Sequence, residues 1–166
     1  IYLIFNEGYA STRSPELVRT DLCAEAIRLA RLILDLMAPD PPSEAIALLA
    51  LMLLHDSRRG ARLDDARDVV LLEDQDRSLW NRIQIAEALI LIEQASSRGI
   101  GPYVVQAEIA AVHCRAESAR DTDWPRIVSL YDQLERLQPS PVVSLNRAAA
   151  VAMVEGPGPA LALIDE

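Results

Sequence analysis

Lysine is missing from this 166-residue chain: its 16 basic residues are all arginine, they face 25 acidic ones, and the net charge is −9. A segment that grips nucleic acid through its phosphates needs an excess of positive charge, so a sequence-independent hold on DNA or RNA is not expected. Aromatic residues are scarce too, 4% against 51% hydrophobic, which leaves Ala, Leu, Ile and Val to build the core. That composition suits close-packed helices rather than a β-sandwich. Of the two cysteines, Cys23 and Cys114, neither has a C-x-x-C partner. Each falls in a helical pattern, so both are expected as reduced core residues, with no disulfide framework. Long apolar runs are absent as well. The longest, Ala45 to Leu54, falls well short of the roughly 18 residues a membrane span needs. No basic n-region with a cleavage site precedes an apolar stretch at the start, so no secretion signal is read. A cytoplasmic protein without membrane contact is the expectation. Because the chain starts at Ile1 and a periodic pattern still runs at Ala160 to Glu166, it reads as part of a longer protein.

What is present is helical periodicity broken by Pro, Gly and Ser clusters. Ile1 to Phe5 is apolar and ends at Asn6-Glu7-Gly8-Tyr9, where Gly8 is expected to stop a short helix. After a Ser/Thr/Pro turn at Ser11 to Pro15, Leu17, Leu22, Ala26, Leu29, Ile33 and Leu36 recur at helical spacing with charges between them, the mark of an amphipathic helix. Asp40-Pro41-Pro42 breaks the chain. Ala45 to Leu54 is then apolar on every side, which places this helix at the centre of a bundle. His55-Asp56-Ser57-Arg58-Arg59-Gly60 closes it, with basic residues near the negative helix end and Gly60 as the expected stop.

A polar stretch from Ala61 leads, through a brief extended piece at Val69 to Leu72, into Leu71 to Trp80, LLEDQDRSLW. The charged centre of this string, Glu73, Asp74, Gln75, Asp76 and Arg77, cannot lie unpaired in the core. It is expected at a helix start or lining a cleft, with Asp76 or Ser78 as the cap, Arg77 paired with a neighbouring carboxylate, and Leu79 and Trp80 as core anchors. Leu79, Trp80, Ile83, Ala86, Leu89, Ile90 and Ile92 mark a fourth long helix, ended by Ser96 to Gly99. Pro102 starts the next, carrying Val105, Ile109 and Val112.

The last third differs in texture. Asp123 caps a helix bearing Trp124, Ile127, Val128, Tyr131 and Leu134. A Pro139-Ser140-Pro141 turn leads to a second helix through Leu145, Ala148, Ala149 and Ala152, and Gly156 to Pro159 leads to a third. A Trp, a Tyr seven residues on, a proline turn and an alanine-lined helix follow the logic of a tetratricopeptide repeat (TPR), although the full repeat spacing is not kept. The expected fold is all-α, a right-handed α-α superhelix or TPR-like helical bundle. It forms one domain over 1–166, with a helical half at 1–60, a polar connector at 61–78 and a second half at 79–166 whose TPR-like unit starts near 123.

Chemical motifs are few. His55-Asp56 and His113-Cys114 lack second metal ligands at three or four residues' spacing, and satisfied histidines are expected there instead. No nucleophile elbow, phosphate-binding glycine loop or H-E-x-x-H helix appears, and the acids of LLEDQDR read as exposed rather than tuned. No catalytic residue, metal or cofactor is therefore assigned, and an enzyme is not expected.

Six strings occur in one order: NEGY at Asn6 to Tyr9, ALLALMLLHDSRR at Ala47 to Arg59, LLEDQDRSLW at Leu71 to Trp80, GPYVVQAEIAAVH at Gly101 to His113, TDWPRIVSLYDQL at Thr122 to Leu134 and PSPVVSLNRAAAVA at Pro139 to Ala152. Together they resemble the C-terminal extension of a subgroup of bacterial extracytoplasmic-function RNA polymerase sigma factors, the subgroup with a long TPR-like tail, over essentially the whole chain. The resemblance implies a regulatory or interaction domain in a protein that directs promoter-specific transcription initiation. DNA would be read only by domains upstream of NEGY. It also implies as partners the sigma core domains of the same chain, RNA polymerase and a small YCII-like protein. The candidate structural and interaction residues on these strings are Asn6, Glu7, Tyr9, His55, Asp56, Arg58, Glu73, Asp74, Gln75, Asp76, Arg77 and Trp80. Tyr103, Gln106, His113, Trp124, Tyr131, Asn146 and Arg147 complete the set. Two other functions fit the same residues: a free-standing TPR-like peptide scaffold, and a small-molecule sensor or enzyme whose polar cleft would join Asn6, Glu7, His55, Asp74, Arg77, Gln106 and His113.

Overall fold

The computed structural model describes residues 1–9 and 20–164, and the described chain is an all-α bundle of eight helices. They are α1 (Tyr2–Tyr9), α2 (Thr20–Leu36), α3 (Ser43–Asp56), α4 (Arg82–Arg98), α5 (Pro102–Arg115), α6 (Trp124–Leu137), α7 (Pro141–Glu155) and α8 (Pro157–Ile164). Short 3-10 turns at Arg59–Ala61, Arg77–Leu79 and Ala119–Asp121 join some of them. No described helix is long and apolar enough to cross a membrane. The expected turn at Ser11 to Pro15, and Leu17 with it, lie outside the described residues.

Helix α3 is central, as its all-round apolar pattern requires: Leu51, Met52, Leu53 and Leu54 are almost fully buried, and α1, α2, α4 and α5 pack around it. Ala47 and Ala50, about one turn apart and fully buried, let its neighbours approach closely. Helix α5 is shared among three clusters, its Val104 packing with Ile46, Ala47 and Ala95. Ala107, Ala111 and Cys114 join the cluster around α3, while Val105, Ile109 and Val112 join Ile127, Leu130 and Leu134 of α6 and Ala150 of α7. Both cysteines are buried and free. Burial pushes the Cys23 thiol up to about 11, so it stays protonated and unreactive near neutral pH.

Proline, glycine and small polar residues set most helix ends where the sequence places them. Pro102, Pro125 and Pro141 fall in first turns, Asp123 caps α6, and Ser140 caps α7 through the Val143 N–H. Gly156 ends α7 with φ 90°, a left-handed conformation that costs glycine little. Helix α5 has a cap from elsewhere: the Glu44 carboxylate accepts from the Tyr103 and Val104 N–H groups at 3.0 and 3.2 Å. A negative charge there also complements the helix dipole. Gly101 makes room for it, since a Cβ at that position would lie 2.5 Å from the Glu44 carboxylate.

Four local expectations are corrected. Gly8 does not stop α1 but lies buried within it, and the helix runs on to Tyr9. Gly60 does not stop α3, which ends at Asp56, four residues earlier in the chain. There the Ser57 N–H bonds the Leu53 carbonyl, the Ser57 hydroxyl bonds the Leu54 carbonyl at 2.7 Å, and Gly60 falls inside the 3-10 turn. Leu79 and Trp80 precede α4 rather than start it; Trp80 is buried, but Leu79 is 56% exposed and anchors nothing. The extended piece reduces to one antiparallel bridge between Leu63 and Val69.

Candidate functional site

The acidic string is the natural place to start, because its side chains part company. Asp76 does act as a cap, accepting from the Ser78 N–H at 2.8 Å, but it caps only the three-residue 3-10 turn. The long helix α4 is capped by Asn81, whose carbonyl oxygen accepts from the Ile83 and Gln84 N–H groups. The expectation that Asp76 or Ser78 caps the long helix is therefore corrected: the 3-10 turn pushes its start three residues on. Since a lost cap costs about 1 kcal/mol, Asn81→Ala is expected to destabilise by about that amount. Asp76→Ala, which uncaps one short exposed turn, is expected to stay within roughly 0.5 kcal/mol. Urea unfolding of the two variants side by side checks the order.

Arg77 is also corrected. It forms no ion pair with a neighbouring carboxylate among the described residues. It is buried instead, donating through Nη1 to the His113 carbonyl at 2.5 Å and the Ala116 carbonyl at 3.0 Å. Those oxygens lie at the end of α5, where carbonyls lack helical partners and the dipole attracts a cation. The guanidinium also lies 4.5 Å from the centre of the Trp80 ring, a stacked cation–π arrangement. Arg77 thus fastens the connector to the end of α5.

Past this clamp lies a cleft of about 410 Å³ lined by residues of α3, α5, α6 and α7 together with Leu72 of the connector. His55 and Arg58 enter it from the α3 end, Gln106 and His113 from α5, Tyr131 from α6 and Asn146 from α7. Ile109, Val142 and Val143 form part of its apolar wall. The positioning is local in origin. His55 and Arg58 are three apart across the end of α3, and Gln106, Ile109 and His113 follow one face of α5 at spacings of three and four.

Tyr9 supports the cleft from behind. Its ring stacks on Phe5 at 5.6 Å, tilts against His55 at 5.3 Å, and has the Arg62 guanidinium 3.6 Å above it. Its hydroxyl accepts from Arg58 Nη2 at 3.3 Å, and its carbonyl accepts from Arg62. Arg58 Nη2 also lies 3.0 Å from His55 Nδ1. A guanidinium only donates, so Nδ1 accepts and the proton of neutral His55 belongs on Nε2. Burial first, then the neighbouring Arg58, Arg62 and His113, pushes His55 down to about 3. Burial, then Arg58 and Arg77, pushes His113 down to about 4. Both imidazoles are neutral at pH 7.

The other candidates divide between structural jobs and open surface. Asp56 is buried, paired with Arg59 and bonded to Gln84 Nε2 at 2.8 Å. Tyr103 packs edge-on against Tyr2 at 5.6 Å. Arg147 ties α7 to α6 through Asp132 at 2.6 Å. Trp124 meets the His113 ring edge-on at 5.3 Å and lines a smaller hollow with Glu73 and Arg77. Gln75 bonds the Val70 carbonyl at 3.2 Å. Asn6, Glu7 and Asp74 are exposed and do not line the cleft. Of the polar cluster that a sensor would need, the structure unites His55, Gln106 and His113, sets Arg77 one layer behind them, and leaves Asn6, Glu7 and Asp74 outside.

Sequence reasoning missed Arg62, Asn81, Gln138 and Ser140. Arg62 had a signal, standing close after Arg58 and Arg59 in an acidic chain; Ser140 lay in the proline turn of the sixth string, and Gln138 just before it had none. Among the described residues no three His, Cys, Asp or Glu side chains converge as a metal site would require.

The model of a family of unknown function, DUF6596, matches residues 1–96. An uncharacterized protein of Rhizobium meliloti (strain 1021) is 57% identical over 166 residues, covering 99% of this chain and 39% of that protein. The chain thus spans less than half the length of the curated relative it matches. No solved structure matches it.

Proposed function

The chain belongs to the family of unknown function DUF6596, and we propose that it is the regulatory, protein-binding C-terminal domain of an extracytoplasmic-function sigma factor. One observation carries the reading. Each of the six strings that resemble that family sends at least one side chain into the cleft or directly against it. Tyr9 comes from the first, His55 and Arg58 from the second, Leu72 from the third, Gln106 and His113 from the fourth, Tyr131 from the fifth and Asn146 from the sixth. Strings serving only as helix spacers would scatter over the bundle. The packing of each helix against the next, from α1 to α8, supports a right-handed TPR-like superhelix, in which such a cleft is the inner, binding face.

On this reading the domain carries out no catalytic step. It reports the state of the cleft to the sigma core domains, and through them to RNA polymerase, with a YCII-like protein as a further partner. The test is reconstitution. The full-length protein is expected to bind core RNA polymerase and to start transcription at its promoter, and removal of this domain is expected to change that output about tenfold. That corresponds to a coupling of about 1.4 kcal/mol, within the usual range for coupled sites. A full-length protein that does not bind the polymerase overturns the proposal.

A further inference from the structure

Positive charge without an ion-pair partner among the described residues gathers at the cleft and just behind it. In a chain of net charge −9, Arg58, Arg62 and Arg77 gather around Tyr9, Trp80 and His113, and none of them pairs with a carboxylate among the described residues. Arg59, Arg98 and Arg147, by contrast, each sit on one. Two of the three unpaired guanidinium groups are spent on carbonyls: Arg62 on Tyr9, Arg77 on His113 and Ala116. Arg58 is the one that lines the cleft, and its Nε is buried without a hydrogen-bond partner. Among the described residues the lining contains no Asp or Glu.

An always-charged, half-buried guanidinium with no carboxylate beside it among the described residues favours an anion, and its planar fork matches carboxylate and phosphate oxygens. The rest of the lining suits such a ligand. Both histidines are neutral, and His55 Nε2–H, the Gln106 and Asn146 amides and the Tyr131 hydroxyl supply further donors. Ile109, Val142 and Val143 offer an apolar wall. The volume of about 410 Å³ falls in the range of small-molecule sites.

We propose that this cleft binds a small organic anion, with its carboxylate or phosphate head on Arg58 and its apolar body against Ile109, Val142 and Val143. The inference concerns the cleft alone and holds whether or not the parent protein is a sigma factor.

Calorimetry on the full chain at pH 7 and low salt tests it, using hexanoate, phenyl phosphate, acetate, inorganic phosphate and, as an uncharged match, hexanol. Hexanoate or phenyl phosphate is expected to bind with a Kd below about 1 mM, and hexanol at least about tenfold more weakly. Acetate against inorganic phosphate, which carry no apolar body, identifies the head group. Arg58→Gln is expected to weaken binding about tenfold, whereas Arg98→Gln, on a distant ion pair, leaves it unchanged. If Arg58→Gln does not fold by circular dichroism, Asn146→Ala on the exposed side of α7 decides, with an expected loss of about threefold. Hexanol binding as tightly as hexanoate overturns the proposal. So does a folded Arg58→Gln, or Asn146→Ala in its place, with unchanged affinity. No binding of either hexanoate or phenyl phosphate also overturns it, and an acidic peptide run alongside that binds in their place points to a peptide groove.

Discussion

Arg77→Met should cost the fold about 3 kcal/mol, the sum of two stranded carbonyls and a lost cation–π contact. The His113 and Ala116 carbonyls lie at the end of α5, and the Arg77 side chain that satisfies them is 8% exposed. Methionine keeps much of the apolar bulk against Trp80 but offers no donor. Arg77→Lys is expected to recover only part of the loss, because one ammonium group replaces the planar face that lies 4.5 Å from the indole. Urea unfolding measures both. A loss under about 1 kcal/mol for Arg77→Met, the level of an ordinary surface change, would show that water replaces the arginine and that the clamp is dispensable. The contrast with Asp76→Ala matters here: these adjacent residues of one charged string differ several-fold in expected effect, because one is buried and the other exposed.

The second large effect is acid sensitivity centred on the cleft. In the unfolded chain His55 and His113 take up protons near pH 6.5. In the folded chain they resist until about 3 and about 4. Between pH 6.5 and 4 the unfolded state therefore holds more protons, and stability falls as pH falls. Both histidines keep some exposure, which moderates the effect. A combined loss on the order of 3 kcal/mol by pH 4 is expected, against a ceiling of roughly 1.4 kcal/mol per pH unit for each histidine. Urea unfolding from pH 7 to pH 4 provides the profile. The double variant His55→Gln, His113→Gln separates these groups from the carboxylates, which titrate in the lower part of the range. Its profile should be markedly flatter between pH 6.5 and 5, and an unchanged slope there would refute the assignment.

Much of the scaffold was legible before any coordinates. The identity of α3 as the central helix follows from ten consecutive positions with no polar face, since a helix with no wet side has only one place to go. The ends of α4, α5, α6 and α7 follow from Gly99, Pro102, Asp123, Pro141 and Gly156, which act through their own backbone geometry or through N–H groups two or three residues away. Those interactions are local, so a local reading finds them. Gly8 and Gly60 misled for the converse reason. A glycine can lie inside a helix as well as end one, and only the burial of Gly8 within α1, or the Ser57 hydroxyl that ends α3 before Gly60, decides between the two.

The site was legible as a set of residues but not as a place. His55, Gln106, His113, Tyr131 and Asn146 were all candidates, yet so were Asn6, Glu7 and Asp74, which lie outside the cleft. Likewise, the sequence paired Arg77 with an acid beside it, whereas its partners are carbonyls 36 and 39 residues away. Helix existence, helix order and the central position of α3 follow from periodicity and from interactions spanning a turn or less. Which polar groups face one another depends on how five separate segments pack around α3 and α5, and on burial deciding that Arg77 goes in while Asp74 and Asp76 stay out. A charge next to an acid in sequence finds that acid only if water leaves the choice open. Once buried, the guanidinium is held by the unpaired carbonyls at a helix end, and their position is a property of the packed bundle.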